Sequence, residues 1–311
     1  MSDTRFWIIG LILLTGIALL SAPQGLQAQA GSAGGTGLAF LKIGIGGQSV
    51  AMGEAAAALV QDGSAVYWNP AGLNFARNQA FFAHSEWLQG IRNEFLSVKI
   101  SAVGAQIGLF WQLQSIDGIE QRDQPSEMPT SEVQAHDFAF GISIAQQITR
   151  SLWGGVTLKY IGERIWTYTT NGMAIDIGAI WKPAFLPTLS VALSLHNFGA
   201  MDPVLNEKVK LPALVRLAVA YRPAMFGDKA DVALVAGTRK VFSGNTISGI
   251  GVESVFRGRF ALRLGYRVGV EIGGISGGIG IISGGYQLDY AYSPAQLDFG
   301  NVHQISFSLN L

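Results

Sequence analysis

The sequence contains no cysteine and little charge. Without thiols, the chain can hold neither a disulfide framework nor a zinc site built on thiolates. Charged residues make up 14% of its 311 residues, against about 25% in typical soluble domains. The 21 basic and 21 acidic residues cancel. The chain therefore lacks the positive surface that binds DNA or RNA, and nucleic acid is not an expected partner.

Long apolar runs are also missing beyond the N-terminus, which excludes a bundle of membrane-spanning helices. The single run spans residues 6–20, follows Arg5, and precedes a small-x-small cleavage site at residues 28–30. This order is typical of a signal peptide over residues 1–30, with a mature start near Gly31. An uncleaved anchor helix is the alternative. We expect an exported protein.

Instead of long apolar runs, the rest of the chain shows a pattern of alternating apolar and polar residues. From about Gln79 onward, apolar residues alternate with small or polar ones over segments of about ten residues, the length of a tilted membrane strand. In one segment the apolar face holds Phe260, Leu262, Leu264, Tyr266 and Val268, and the other face holds Arg259, Ala261, Arg263, Gly265 and Arg267. A soluble β-sandwich, the alternative fold, would place many Lys, Glu and Thr on the second face. Small residues with occasional charges suit a crowded lumen better.

Counting these segments predicts an all-β fold, an antiparallel transmembrane β-barrel of about fourteen strands over residues 79–311, in the cell outer membrane. Long links at 116–131, 200–210 and 294–301 alternate with short ones, and 182–188 and 223–229 are intermediate. We expect the long links outside the cell. Aromatic residues near the strand ends are typical of interfacial girdles: Trp87, Trp166, Trp181, Tyr221 and Phe256. The strand centres lie near residues 83, 96, 109, 140, 157, 176, 192, 217, 235, 251, 263, 279, 289 and 306.

Residues 31–78 do not alternate. Small residues dominate, residues 55–60 could form a short helix, and Asn69-Pro70 marks a turn into the first strand. We interpret the segment as an N-terminal hatch that plugs the barrel, because a free periplasmic tail would leave its apolar residues exposed. The motif expected to shape the hatch consists of Asp62, Gly63, Ser64, Trp68, Asn69, Pro70 and Gly72.

Two runs in this segment, Gly46-Gly47-Gln48-Ser49-Val50-Ala51-Met52-Gly53-Glu54-Ala55 and Asp62-Gly63-Ser64-Ala65-Val66-Tyr67-Trp68-Asn69-Pro70-Ala71-Gly72-Leu73, resemble the N-terminal signature of the PorV/PorQ family of FadL-like outer-membrane proteins. The C-terminal Gly285-Tyr286-Gln287-Leu288-Asp289-Tyr290-Ala291-Tyr292 is also similar to that family. The resemblance implies a fourteen-stranded barrel with a hatch. PorV-like members bind cargo of the type IX secretion system, whereas FadL-like members pass hydrophobic small molecules. The chain departs from the usual pattern of such barrels in ending on Asn310-Leu311 rather than on an aromatic residue.

The residues offer little chemistry. The four histidines, His84, His136, His196 and His303, show no metal-ligand spacing, and none lies in a motif that pairs it with a nucleophile. Glycine-rich stretches near residues 273–278 and 283–285 lack the Lys-Ser/Thr ending of phosphate-binding loops. We expect no catalytic residue, no metal, no cofactor and no enzymatic activity. A hydrolase would need a nucleophile and a base that only the fold could bring together.

Charges on the small-residue face need their own explanation, because a charge in a confined lumen is costly unless it is paired. We expect them to pair with one another and with the hatch. The alternative is a selectivity lining for a conducted solute. The residues are Asp137, Lys159, Asp176, Arg216, Glu253, Arg263 and Asp289.

The resemblance and the polar loops favour a barrel that binds and shuttles secreted proteins in a type IX route. Its partners would be membrane lipid, a secretion translocon, secreted cargo and a surface attachment complex. The alternatives are a FadL-like transporter of hydrophobic small molecules and a structural barrel that anchors another complex. The residues expected to bind the partner lie in the first two long links: Asp117, Glu120, Arg122, Asp123, Asp202, Pro203, Glu207 and Lys208.

Overall fold

The computed structural model describes residues 36–87, 90–122, 129–203, 208–223, 230–270, 274–294 and 301–311, so the expected signal peptide lies outside the described residues. Fourteen antiparallel strands form one closed sheet in which β1 pairs with β14. All fourteen predicted strand centres fall inside strands, which confirms the barrel. The strands are β1 Gln79–Glu86, β2 Arg92–Ala102, β3 Ala105–Gln121, β4 Ser131–Thr149, β5 Leu152–Ile165, β6 Tyr168–Trp181, β7 Leu189–Met201, β8 Leu214–Tyr221, β9 Ala230–Val241, β10 Thr246–Phe256, β11 Phe260–Val268, β12 Ile275–Ser283, β13 Tyr286–Ser293 and β14 Val302–Asn310.

The two faces of the sheet differ as the alternation predicts. On β11, Leu264 points outward and is 59% exposed, whereas Ala261 points into the lumen and is 4% exposed. The outward faces of the other strands carry a belt of exposed Ile, Leu, Val and Phe around the barrel. Such a belt needs lipid around it, and closure leaves no unpaired strand edge in the sheet. The protein is a transmembrane barrel of the outer-membrane type.

Four short hairpins lie at one end of the barrel, here the turn rim, together with the intermediate links 182–188 and 222–229. The longest links lie at the other end, the loop rim, which also carries the two-residue turn between β5 and β6. One expected loop is shorter than predicted and another is shifted along the chain. β3 runs on to Gln121 and β4 begins at Ser131, so only residues 122–130 link them. β7 continues to Met201 and β8 begins at Leu214, so residues 202–213 link them instead of 200–210. Backbone pairing between β3 and β4 continues past a bulge at residues 117–118, which makes polar residues part of a strand. Of the expected girdle residues, Tyr221 is instead buried.

Residues 36–78 form the hatch, which occupies the lumen and contains five short helical pieces: η1 Ala39–Lys42, α1 Gly47–Ala51, η2 Ala56–Ala58, α2 Ala65–Trp68 and η3 Pro70–Asn74. The expected helix over 55–60 is thus a shorter 3₁₀ turn. None of the described helices combines the length and the apolar character needed to cross a membrane. The hatch descends from the loop rim, where the amide of Gly37 donates to the Lys210 carbonyl (3.1 Å), to the turn rim, where the Asn78 carbonyl accepts from the Leu311 amide (2.8 Å).

Glycines on the wall give the hatch backbone room to approach. A Cβ at Gly265 would lie 2.2 Å from the amide nitrogen of Gly53, and one at Gly249 would lie 2.1 Å from the Gly53 carbonyl oxygen. On the far wall, a Cβ at Gly178 would lie 2.1 Å from Asn69 Oδ1. Any larger residue at these positions would collide with the hatch, so the glycine content of the strands follows from the plug they enclose.

Candidate functional site

The lumen and its hatch form the candidate site, and the first part of the hatch motif shapes a tight turn. Asp62 Oδ1 accepts from the amide and the hydroxyl of Ser64 (2.8 and 2.5 Å). Burial raises the pKa of Asp62 to about 6. A Cβ at Gly63 would lie 2.5 Å from the Oγ of Ser97, whose hydroxyl donates to the Gly63 carbonyl. These three motif residues therefore fix the hatch against β2.

Trp68 and Gly72 hold the hatch to itself. Trp68 Nε1 donates to the carbonyl of Ile45 (2.8 Å), which ties α2 to the chain ahead of α1. A Cβ at Gly72 would lie 3.1 Å from the Cβ of Ala65, so its small size lets η3 pack on α2. Trp68 is fully buried and is among the largest side chains in the lumen.

Asn69 joins the hatch to the wall. Its Oδ1 accepts from the Ala71 amide (3.0 Å) and caps η3, which begins at Pro70. Its Nδ2 lies 3.2 Å from the carbonyl of Ala179 on β6 and 3.3 Å from that of Leu193 on β7. One side chain thus serves as a helix cap and as a contact between hatch and barrel.

The charged side of the lumen, defined by Arg239, Glu253, Arg263, Arg267 and Asp289 on β9–β13, binds the hatch through ion pairs. Arg263 is 1% exposed and contacts Glu253 (2.6 Å) and Asp289 (2.7 Å). From the hatch, Glu54 reaches Arg239 (3.3 Å) and Arg267 (2.5 Å), and Gln48 donates to Glu253 (2.8 Å). Burial alone would raise the pKa of Glu54, but the two arginines outweigh burial and lower it. The predicted pairing of lumen charges is confirmed here.

The aromatic side of the lumen, defined by Phe81, Phe95 and Phe110 on β1–β3, has no such bonds. The ring centroids of Phe81 and Phe95 are 6.1 Å apart, and those of Phe95 and Phe110 are 5.7 Å apart. Tyr67 of the hatch continues the row, 6.4 Å from Phe95 and 5.1 Å from Trp68. The ring packing is apolar. Two neutral hydrogen bonds also join the hatch to these strands, from Ser97 Oγ to the Gly63 carbonyl (2.8 Å) and from Gln112 Nε2 to the Phe40 carbonyl (3.2 Å).

A third group of lumen residues on β5–β7, the inner network, consists of Lys159, Asp176, Ser194, His196 and Asn197. Lys159 Nζ lies 2.8 Å from Asp176 Oδ1 and also donates to Asn197 Oδ1. His196 lies 2.8 Å from Ser194 Oγ and 3.2 Å from Asp176 Oδ2. No sequence motif pairs a histidine with a nucleophile, but the strand geometry brings the Ser194 hydroxyl and the His196 imidazole together. The period-two spacing of Ser194 and His196 on one strand was the available signal.

Two lumen charges form no ion pair among the described residues. Arg216 contacts the hatch instead: it donates to the Tyr67 hydroxyl (3.2 Å), and its guanidinium carbon lies 4.6 Å from the Trp68 ring centre. Asp137 accepts a hydrogen bond from Gln114 (3.3 Å). The predicted pairing with the hatch is thus confirmed for Arg216, and the prediction fails for Asp137.

The hatch leaves little free space in the described lumen. One cavity of about 20 Å³ lies between Glu54, Trp68 and Arg216, and another of about 10 Å³ lies between Tyr67, Phe110 and Arg216. A single water needs about 10–15 Å³ measured in this way, so neither cavity holds a larger molecule. Passage of any solute would require the hatch to move.

The loop residues expected to bind a partner begin on β3. Asp117 and Glu120 lie within that strand, and Arg122 follows it. Asp117 forms an ion pair with Arg92, and Glu120 forms one with Arg122 (2.6 Å). Asp123 lies outside the described residues. These charges are exposed, and they contact one another rather than leaving a charged surface of one sign.

The second expected loop begins at the end of β7 and leads to β8. The Asp202 amide donates to the carbonyl of Asn171 on β6 (2.8 Å). Pro203 and Lys208 are exposed, and Glu207 lies outside the described residues. The described parts of the two loops are therefore attached to different strands. Their role in binding a partner stays a prediction.

Solved structures share this architecture. The Pseudomonas putida toluene transporter TodX is 14% identical with a TM-score of 0.59, over 86% of this chain and 98% of that one. The CymD monoaromatic hydrocarbon channel is 11% identical with a TM-score of 0.61, over the same shares. A Pseudomonas aeruginosa FadL homologue is 12% identical with a TM-score of 0.52, over 86% and 99%. The chain has the fold of FadL-type outer-membrane barrels. No protein-family model and no curated protein sequence matches it.

Proposed function

We propose that the barrel passes small hydrophobic molecules across the outer membrane along the aromatic side of its lumen. The observation that carries this proposal is the unequal lining of the lumen: a row of phenylalanine rings on β1–β3 faces ion pairs on β9–β13. Solved barrels of the same fold include one described as a toluene transporter and one described as a monoaromatic hydrocarbon channel. This favours transport over the secretion role expected from the sequence.

The lining favours an uncharged, apolar solute. Phe81, Phe95 and Phe110 are buried, and their rings offer stacking and edge contacts without hydrogen bonds to satisfy. A polar solute that replaced the hatch there would lose its hydration without compensation. Ligand sites of this kind are mostly apolar, with a few polar groups at the margin.

Opening requires hatch movement, and the two sides predict its direction. Ion pairs with buried charges are costly to break, because each separated charge stays desolvated. Contacts on the aromatic side are ring packing and two neutral hydrogen bonds, from Ser97 to the Gly63 carbonyl and from Gln112 to the Phe40 carbonyl. Breaking them separates no buried charge, and an apolar solute replaces the ring contacts in kind. We therefore expect the hatch to stay bound to β9–β13 and to withdraw from β1–β3.

The test uses intact cells of a Gram-negative host whose lipopolysaccharide layer excludes hydrophobic dyes. The probe is N-phenyl-1-naphthylamine, which fluoresces once it reaches an apolar interior. Cells that contain the barrel should take up the dye several-fold faster than cells with an empty vector. Nitrocefin, a polar substrate of a periplasmic β-lactamase, should be hydrolysed at the same rate in both, which excludes a leaky membrane. Equal dye uptake in the two strains would contradict the proposal.

The secretion shuttle is the second candidate, and the resemblance of Gly46–Ala55 and Asp62–Leu73 to the PorV/PorQ signature favours it. Its function would lie in the loops rather than in the lumen. Replacing residues 122–130 and 202–208 with Gly-Ser linkers separates the two candidates, since loops tolerate such changes. Passage along the lumen predicts unchanged dye uptake. A shuttle predicts that secreted proteins no longer co-purify with the barrel and accumulate in the periplasm.

A further inference from the structure

Three side chains of the inner network stand in the order hydroxyl, imidazole, carboxylate. Ser194 Oγ lies 2.8 Å from His196 Nε2, and His196 Nδ1 lies 3.2 Å from Asp176 Oδ2. A bulge between β6 and β7 creates this order, because Asp176 faces both His196 and Asn197, and all four side chains point into the lumen. Asn197 adopts φ 61° at the bulge. Bulges re-aim side chains in this way next to functional sites.

The carboxylate is held so that one oxygen remains for the histidine. Asp176 Oδ1 accepts from Lys159 Nζ and from the backbone amide of Asn197, both at 2.8 Å. With Oδ2 accepting the proton of His196 Nδ1, the Nε2 lone pair faces the Ser194 hydroxyl. A nucleophile next to a base that a third group orients is the arrangement by which enzymes activate serine.

Arg216 on β8 supplies a buried cation on the neighbouring strand. It lies directly opposite Ser194 in the β7–β8 register. Its Nη2 donates to the Tyr67 hydroxyl, while Nε and Nη1 have no hydrogen-bond partner among the described residues. A buried guanidinium with unused donors can stabilise an oxyanion that develops nearby.

The adjoining cavity sets the class of substrate. Its lining is mixed: Leu41, Val66 and Phe110 are apolar, and the polar residues are Tyr67, Gln112, Lys159, Asp176, His196, Asn197 and Arg216. An acyl chain that enters along the aromatic side would thus meet the polar groups next to Ser194 with its carbonyl end. The carbonyl of Trp68 lies 3.3 Å from Ser194 Oγ, so the hatch covers the hydroxyl until it withdraws.

We propose that Ser194, His196 and Asp176 form a hydrolytic site for uncharged esters of hydrophobic acyl chains, with Arg216 as the oxyanion donor. The activity goes beyond passage and rests on the proposed function only through the hatch movement that admits the ester. Transport of a solute without an ester bond needs none of these residues.

The reaction is a two-step acyl transfer to water. Ser194 Oγ bonds to the ester carbonyl carbon while its proton passes to His196 Nε2, and the oxyanion forms beside Arg216. The bond to the alkoxy oxygen then breaks, and the leaving alcohol takes the proton from His196. Water attacks the acyl-serine by the same route, which releases the carboxylic acid and restores the serine hydroxyl.

The test uses the full-length barrel in detergent, a fluorophosphonate that labels activated serines, and p-nitrophenyl butyrate. Trp68→Ala removes the ring next to Arg216 and leaves room at the site. We expect a fluorophosphonate adduct on Ser194 by mass spectrometry, formed faster in Trp68→Ala than in the unaltered chain. His196→Asn in that background should slow ester hydrolysis about 100-fold or more, as loss of a general base does. Ser194→Ala should abolish the adduct.

Matched variants keep each outcome decisive. Ser143 is a buried lumen serine that bonds to Thr157, outside the network, and Ser143→Ala should leave labelling unchanged. If Trp68→Ala loses its heat-modifiable mobility, Trp68→Leu replaces it and retains apolar contact. A folded Trp68 variant without an adduct on Ser194, and with no more hydrolysis than its Ser194→Ala version, overturns the proposal. Dye uptake by Ser194→Ala cells should equal that of unaltered cells, which separates this failure from a failure of passage.

Discussion

The charged side and the aromatic side of the lumen bind the same hatch by different forces. On the charged side, Arg263 joins Glu253 and Asp289, and Glu54 of the hatch reaches Arg239 and Arg267. These contacts are directional and enclosed. On the aromatic side, phenylalanine rings contact the hatch by shape alone. A plug held by buried ion pairs along one wall, and by ring packing with two neutral hydrogen bonds along the other, is suited to hinge rather than to leave the barrel.

The largest expected effect comes from breaking the charged side at its centre. Arg263→Met leaves Glu253 and Asp289 buried without their cation, which should cost about 3–5 kcal/mol of stability. The measurement is the urea midpoint of the heat-modifiable band. Arg164→Met, at an exposed arginine of the loop rim, is the control and should change little. Equal midpoints for the two variants would show that the ion pairs do not hold the barrel.

The pH dependence of stability should come from the polar groups of the hatch and not from its rings. Because the pKa of Asp62 rises from 3.8 to about 6 on folding, the folded state retains the proton longer than the unfolded chain. The contribution of Asp62 to the free energy of unfolding is complete below about pH 4 and decreases as the pH rises to about 6. The total decrease is up to about 3 kcal/mol. As the pH rises from 4 to 7, Asp62→Asn should therefore become more stable relative to the unaltered protein, as measured by parallel urea titrations. A constant difference would contradict the shift.

Gly265 on the charged side, where the hatch backbone comes close to the wall, allows a smaller perturbation. A Cβ at Gly265 would meet backbone atoms of residues 51–53, so Gly265→Ala should cost about 1–3 kcal/mol and make the hatch more sensitive to protease. Gly277 on the neighbouring strand is the matched control, because a Cβ there would make only ordinary contacts at 3.5 Å or more. Similar digestion of the hatch in both variants would show that the position of the hatch does not depend on its close backbone contact with Gly265.

The smallest effect is expected on the aromatic side. Phe95→Leu keeps an apolar side chain but is smaller and loses the ring contacts with Tyr67, Phe81 and Phe110. It should cost about 1–2 kcal/mol, less than breaking the ion pairs of the charged side. The same urea midpoint measures it, with Leu96→Phe, on the lipid-facing side, as the control. A loss as large as that of Arg263→Met would remove the distinction between the two sides.

The barrel could be predicted because its signal is local and repeated. Each strand carries its own period-two pattern, as Leu264 and Ala261 illustrate, and one slipped register would have turned every side chain of a strand over. The pairing of Arg263 with two carboxylates followed from the cost of unpaired charge in a closed lumen. Neither inference required knowledge of which strands are neighbours in space.

The candidate site was harder to predict, because it depends on contacts between distant parts of the chain. The bulge shifts the outward apolar residues of β7 from Leu195 to Phe198, but nothing in the alternation of β6 or β7 says that Asp176 lies opposite it. Contact between Arg216 and the hatch was expected, but its position against the Tyr67 and Trp68 rings was not. Such positions follow from how the hatch folds, and its short helical pieces carry little periodic signal.

The central claim is that hydrophobic molecules pass where the hatch leaves β1–β3, and a reversible crosslink tests it most directly. A Cβ at Gly108 on β3 would lie 2.6 Å from Val66 Cγ1 on α2, and the chain has no cysteine to interfere, so Val66→Cys with Gly108→Cys should form a disulfide. We predict that the oxidised variant takes up N-phenyl-1-naphthylamine no faster than empty-vector cells, and that dithiothreitol restores uptake without altering the unmodified protein. Dye uptake at the same rate with the hatch locked to β3 would contradict the account.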